Sequence, residues 1–408
     1  MARSSIPDAH AVAIQHPFMS PLAALTCAVM AIGCGYMANT YADEVDPSEF
    51  PIIEGFPDPF LMTNGTRAGS TTDWPDRREE MIELLLRHEY GRVPPAPGNV
   101  EVESEELVDA NDSGGPSFKI IRLRMGPQHA IPMTMHLYLP MDRSGPFPTI
   151  LRVGLAQPIV EEMHARGYAF ACFQHRDLDP ETEGHDVAGP AQTAYPKYDW
   201  GSIAVWAWGA SRALDYLSTC PEIDVRKVVV TGHSRTGKAA LLAGALDERF
   251  AVVVPNGSGC GGAGAFRVVG EGAETLELIT RKSRFFSWFH KDFAGFGDKE
   301  NRLPFDQHFL RALVAPRGLL STDALGDTWA NPLGTQAAYR AAMPVFEFLD
   351  APGRNAIHFR PGQHDQLPED YRALLDFADL CFHAKPLPGG FNVLPFPEHE
   401  LQLGWSAP

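Results

Sequence analysis

The sequence predicts an α/β fold: a mostly parallel, doubly wound central sheet with helices on both faces, in three layers. Two patterns and one turn carry that expectation. Short runs rich in Val, Ile, Leu and Phe alternate with helical runs, and that alternation builds parallel sheets. The later apolar runs have no polar face, as strands covered on both sides require. Finally, "VVVTGHSRTGK" (228–238) passes from β-branched residues through a glycine directly into a helix-forming segment.

Taken in order, residues 43–75 are rich in proline, glycine and acids and read as an extended arm lying on the body. Residues 76–95 place acids first and bases last around Ile82, Leu84, Leu85 and Leu86, and close on Gly91 and Pro94. That is an amphipathic helix with a stop signal. "FKIIRLRM" and "MTMHLYLP" alternate like antiparallel strands. "FPTILRVGLA" and "YAFACFQHR" are continuously apolar, as buried parallel strands are. Residues 201–217 form a helical run rich in alanine and tryptophan. "VRKVVVTG" is a central strand, and "KAALLAGAL" is the helix after it. "RFAVVVPNGSG", "RGLLSTDA" and "NAIHFRPG" supply three more strands, and "EDYRALLDFADLCFHA" a closing helix.

Bulk composition narrows the class. The chain has 408 residues, 44% hydrophobic and 21% charged, which suits a large globular α/β domain with insertions. Its net charge of −17 argues against nucleic acid as a partner. Residues 1–42 hold one apolar stretch, too short for a comfortable membrane span and suited to a signal peptide. Small residues at Thr40 and Ala42 could frame a cleavage site, and "AIGC" offers Cys34 as a lipidation site with Ala31 in place of the usual leucine. The expected organisation is therefore a leader (1–42), an arm (43–75) and a single catalytic domain (76–408). The protein is expected to be secreted or periplasmic, with no stable membrane association beyond a lipid anchor, and monomeric. Beyond the leader lie Cys172, Cys220, Cys260 and Cys381, with no C-x-x-C spacing, so no metal site is expected. Export would permit a disulfide; four small buried apolar residues is the plainer account.

Ligands of such sheets bind beyond the carboxyl ends of the strands, so the polar residues just after strands matter. Ser234 follows "KVVVTG", Asp327 follows "GLLSTDA", and His364 follows "AIHFRPG". The order Ser, Asp, His is that of α/β-hydrolases. A serine hydroxyl needs a base within reach to attack. Histidine titrates near neutrality and serves as that base, and a carboxylate fixes its tautomer. Each has a plainer account. Ser234 could merely close the turn, with Gly232 and Gly237 allowing strand and helix to approach. His358 is a weaker candidate base, within a strand. Asp323 competes with Asp327 as the acid, and either could be a turn residue. Arg235 and Lys238 oppose the dipole at the start of their helix. They call for a negative substrate group, a developing oxyanion, or salt-bridge partners.

At these residues the chain resembles the glucuronoyl esterases, carbohydrate esterase family fifteen. "GHSRTGKAALLAGALDERFAVVVPNGSGCGGA" is similar to the family's nucleophile region, whose mark is Gly-x-Ser-Arg-x-Gly-Lys. "LPFDQHFLRALVAPR", "DTWANP" and "RPGQHD" extend the likeness, and "GFPDPF" and "REEMIELLLRHEYGRVPP" look like the start of bacterial members. The resemblance implies an α/β-hydrolase fold, Ser234 as nucleophile and His364 as base. It implies that Arg235 assists the oxyanion, that Lys238 and Trp329 contact the uronic acid, and that Glu271 or Glu274 binds sugar hydroxyls. It implies no cofactor and a glucuronoxylan or lignin–carbohydrate ester as substrate. Two departures stand out. Fungal members carry their acid as Glu where this chain has Gly257, so Asp327 matches a later site used by some bacterial members. Fungal members also have a disulfide where this chain has His233 and Asp365.

Two other activities compete. An acetyl xylan esterase or general carboxylesterase would use the same triad, but acetate has no hydroxyls for Lys238, Trp329 and the glutamates to meet. A non-catalytic carbohydrate-binding relative would have no need of a complete Ser, His and Arg set.

Overall fold

The computed structural model describes residues 45–408 apart from 110, 111, 113, 182–187, 282–284 and 286. The predicted leader, with Cys27 and Cys34, and the first two residues of the arm lie outside the described residues.

Nine strands form one sheet: β1 (Glu101–Val108), β2 (Phe118–Met125), β3 (Ile131–Tyr138), β4 (Phe147–Val153), β5 (Ala169–Phe173), β6 (Ile223–His233), β7 (Val252–Asn256), β8 (Gly318–Ala324) and β9 (Asn355–Arg360). Their order is β1-β2-β3-β5-β4-β6-β7-β8-β9. The first three strands run antiparallel, and β5, β4, β6, β7, β8 and β9 pair in parallel. The expected α/β sheet is therefore present, with an antiparallel flank.

Strand alternation divides the core between two faces. Val228, Val230, Val253 and Leu319 join one buried cluster, with α1 (Trp74–Leu85), α2 (Ser202–Leu217), α3 (Arg235–Leu246) and α4 (His308–Val314). Val345 and Phe346 of α5 (Pro332–Phe348) complete that face. Val229, Val252, Val254 and Leu320 join the other, under α6 (Pro368–His383). Helices on both faces make the three layers.

The first predicted helix begins at Trp74 and ends in a five-residue π turn, Leu86–Tyr90, before Gly91 at φ 80. The arm packs on the body through Phe56 and Phe60, both buried. Cys172, Cys220, Cys260 and Cys381 are all free thiols; Cys172 and Cys260 are buried, as the plainer account expects, while Cys220 and Cys381 are only half-buried.

Strand β1, helix α4 and helix α5 are among the elements that fall outside the sequence expectations. Strand β1 carries Glu101, Glu103, Glu105 and Glu106 with an almost wholly exposed face, so it lacks the apolar alternation that marks a strand. Helix α4 is only seven residues long. Helix α5 contains Pro344 in its interior, a residue that ordinarily ends a helix.

Candidate active site

Strand β6 lies in the middle of the parallel set and ends at His233. Ser234 follows with φ 56 and ψ −125, a conformation strained for any residue with a Cβ. Helix α3 starts at the next residue, so the serine stands on a sharp strand-to-helix elbow. Its backbone is pinned: Ser234 N–H donates to Asn256 O at 2.9 Å, and Ser234 O accepts from Gly237 and Lys238 N–H at 2.9 and 3.1 Å. The two glycines are steric requirements. A Cβ on Gly232 would lie 2.1 Å from Thr236 O, and one on Gly237 would lie 2.9 Å from Asn256 O. The late glycine of this elbow faces the end of β7, and that contact explains its place in the motif.

His364 lies on the loop between β9 and α6. Buried Arg360 staples that loop: its Nη2 donates to Asp365 O at 2.5 Å and its Nε to the Asp370 carboxylate at 2.9 and 3.0 Å. His364 Nε2 is 2.9 Å from Ser234 Oγ, and His364 Nδ1 is 2.5 Å from Asp327 Oδ2. Asp327 caps the one-turn helix Thr328–Ala330 with its other oxygen, which accepts from Ala330 N–H at 3.3 Å. One carboxylate oxygen is thus held by the turn and the other faces the imidazole. The hydrogen bond to Asp327 raises the His364 pKa above its ordinary 6.5, against the opposing effect of burial.

Geometry separates the two aspartates, since Asp327 meets the imidazole and Asp323 does not. Asp323 is 1% exposed at the end of β8. Neither of its oxygens meets a donor in good geometry, the Thr335 hydroxyl offering only a weak one. Burial, then the Asp327 and Asp370 charges, push it up to about 7. His358 stays within β9, against Phe391. At the position of the fungal acid, a Cβ on Gly257 would lie 3.6 Å from Asp327 Oδ2. A side chain at position 257 would therefore enter the space beside the Asp327 carboxylate.

His233, one of the two positions at which the resemblance implies a disulfide in fungal members, packs on the base. Its ring centroid is 4.6 Å from that of His364, and its Nδ1 is 2.6 Å from Asn256 Oδ1. Burial lowers its pKa to about 4, so near neutral pH it adds no charge beside the imidazolium.

Both cations of the elbow have salt-bridge partners, the third of the accounts open to the sequence. Arg235 Nη1 is 2.5 Å from both Oε1 and Oε2 of Glu181. Lys238 is 2% exposed, and its Nζ donates to Ser258 O, Cys260 O and Glu274 Oε1 at 2.7, 2.5 and 2.7 Å. All three ammonium hydrogens are engaged. Trp288 lies between the two, with its ring centroid 5.5 Å from Arg235 Cζ and 5.6 Å from Lys238 Nζ. Glu274 is 4% exposed, and its N–H donates to Trp329 O at 3.0 Å, so Lys238, Glu274 and Trp329 form one group. Glu271 does not join it. That side chain is exposed, the chain turns at Gly272, φ 74, and of the two glutamates it is Glu274 that pairs with Lys238.

Glu181, Trp288 and His233 were not singled out as site residues from the sequence. Glu181 sits in an acid-rich loop more than 50 positions from Arg235, with no local pattern to mark it.

Removing the charge at Lys238 should be costly to the fold. Lys238→Met leaves Glu274 buried without its counter-ion, a loss of about 3–5 kcal/mol, seen as a lower urea midpoint. Adding Glu274→Gln to the same chain should recover part of it.

Comparison with known proteins follows the same line. A family model described as "Glucuronyl esterase, fungi" matches residues 126–350. The carbohydrate esterase MZ0003 of an unknown prokaryotic organism is 33% identical over 388 residues, covering 79% of this chain and 88% of that protein. A 4-O-methyl-glucuronoyl methylesterase of Podospora anserina is 30% identical over 323 residues, covering 74% of this chain and 62% of its own length. Among solved structures, a carbohydrate esterase family 15 glucuronoyl esterase from Caldicellulosiruptor kristjansonii superposes with TM-score 0.77 at 32% identity, covering 87% of this chain and 98% of that one. The chain belongs to the glucuronoyl esterase family, carbohydrate esterase family 15, and is a carboxylic ester hydrolase.

Proposed function

We propose that this enzyme hydrolyses esters of glucuronic acid through an acyl-enzyme on Ser234. The observation that carries it is the unbroken chain Ser234 Oγ, His364 Nε2, His364 Nδ1, Asp327 Oδ2, at 2.9 and 2.5 Å. Ser234 Oγ attacks the ester carbonyl while His364 Nε2 takes its proton. The imidazolium, steadied by Asp327, returns that proton to the departing alcohol. Water then attacks the acyl-enzyme by the same route in reverse, giving glucuronate and free serine. The oxyanion is met by backbone N–H groups at the start of α3 and by Arg235. Lys238, Glu274 and Trp329 form the surface for the uronic acid ring; Lys238 holds the Glu274 carboxylate, which accepts from sugar hydroxyls.

Glucuronoxylan esterified to lignin alcohols is the proposed natural substrate class. Export to the periplasm or the medium is proposed on the leader sequence alone.

The test compares benzyl glucuronate with acetylated xylan. Turnover of the first and not the second is expected. The reverse would move the enzyme to the acetyl esterases and undo the account of the acyl surface. The rate should also depend on pH in a defined sense. His364 must be neutral to act as base, and Asp327 lets it keep its proton to higher pH. The acid limb of kcat/KM should therefore have its midpoint above 6.5, and Asp327→Asn should move the midpoint of the residual activity down.

A further inference from the structure

We infer that Glu181 is a positioning residue for catalysis, its buried carboxylate fixing the Arg235 guanidinium beside the nucleophile before substrate arrives. The inference rests on Arg235 acting on the oxyanion, as proposed above.

The Glu181 side chain is 4% exposed, while that of Arg235 is 35% exposed. Three hydrogen bonds converge on the carboxylate. Arg235 Nη1 reaches both oxygens at 2.5 Å, and Trp288 Nε1 donates to Oε1 at 2.5 Å. A second arginine, Arg176, stands 3.7 Å from Oε2 with a side chain 56% exposed, too far for a hydrogen bond. The backbone of Glu181 is itself held in place. Its φ is 50, and its N–H donates to Asp179 Oδ1 at 2.9 Å. Asp179 is buried and accepts from Gln192 Nε2 at 2.8 Å, and its carbonyl accepts from Trp206 Nε1 at 3.2 Å.

The pair differs from an ordinary structural ion pair in how the guanidinium is used. Glu181 takes only Nη1. Among the described residues, Nε and Nη2 of Arg235 have no protein acceptor. The Trp288 ring supports the guanidinium, 5.5 Å from Cζ. One edge of the cation is anchored and the rest of its donors are left over, as an oxyanion donor requires. A free arginine would have to give up its rotamer freedom in the transition state; one already clamped does not. A carboxylate buried to this extent is tolerated only with partners, and those partners are Arg235 and Trp288.

The test is steady-state kinetics on benzyl glucuronate for Glu181→Ala, Glu181→Gln, Arg235→Met and the double variant Glu181→Ala/Arg235→Met. Arg235→Met is expected to lower kcat by about 10²–10³-fold, the loss of one oxyanion donor. Glu181→Ala is expected to lower kcat by about 10–100-fold with KM within about threefold, because it loosens that donor without touching the substrate. Glu181→Gln still accepts from Arg235 and Trp288 and should fall between Ala and wild type. In the Arg235→Met background, Glu181→Ala should cause no further loss of kcat. Losses that multiply, or wild-type kcat in both Glu181 variants, would overturn the inference. Should the alanine variant fail to fold, judged by its circular dichroism melt, the near-isosteric glutamine decides by the same kcat criterion. Full kcat in Arg235→Met alone would instead refute the proposed role of Arg235, a separate outcome from failure of the Glu181 clamp.

Discussion

Asp327→Asn is expected to lower kcat on glucuronate esters by about 10⁴-fold, as loss of a triad carboxylate does elsewhere, while Asp323→Asn stays within about threefold of wild type. The contrast follows from position. Asp327 Oδ2 lies 2.5 Å from His364 Nδ1. An amide there can present its NH₂ group to the ring, favouring the wrong tautomer, and it cannot balance the imidazolium. Asp323 is 1% exposed and pushed up to about 7, so at acidic pH it is already an uncharged group that asparagine mimics. A further sign follows for stability. A carboxyl whose folded pKa is raised from 3.8 to about 7 contributes stability fully below 3.8 and loses it as pH rises towards 7. The asparagine variant has no such titration. Its unfolding midpoint should therefore gain on wild type between those pH values, as urea denaturation at several pH values would detect. Loss of activity in Asp323→Asn with retention in Asp327→Asn would exchange their roles.

Ser234→Ala is expected to have the largest effect, about 10⁶-fold in kcat, since no other group can form the acyl intermediate. The fold should tolerate the change. The Ser234 hydroxyl is not a cap for α3, and the elbow is held by backbone bonds to Asn256, Gly237 and Lys238. Alanine meets the same strain at φ 56 that serine does. Measured kcat should collapse while the thermal midpoint moves by only a few degrees. A serious loss of folding in this variant would mean that the hydroxyl is structural, the plainer account of the turn.

Much of this arrangement is legible in the sequence, for reasons particular to each part. Central strands such as "KVVVTG" are apolar on both faces because helices cover both, so they stand out. The juxtaposition of Ser234, Asp327 and His364 follows from the rule that such residues lie after strands, with their order along the chain. Strand β1 is missed because it sits at the sheet edge with its acids in solvent; nothing buries a face of it strongly enough to impose alternation. Helix α5 is obscured by Gly334 and Pro344, which tertiary packing overrides. The choice between Asp323 and Asp327 turns on four residues of β-strand end and turn, and only the fold decides which carboxylate meets the imidazole. Glu271 and Glu274 are chemically identical in sequence; burial against Lys238 separates them. Glu181 has no signal at all, because its partner Arg235 is brought to it by the sheet and not by spacing.

The most direct test of glucuronoyl transfer through Ser234 is a partition experiment in water containing methanol. Two glucuronate esters with different alcohols, benzyl and phenylpropyl, are hydrolysed by the wild-type enzyme, and methyl glucuronate and glucuronate are measured at early times. A shared acyl-enzyme gives the same ratio of the two products from both esters, and Ser234→Ala gives neither product. A ratio that changes with the departing alcohol, or product formation that survives Ser234→Ala, would contradict an acyl intermediate on this serine.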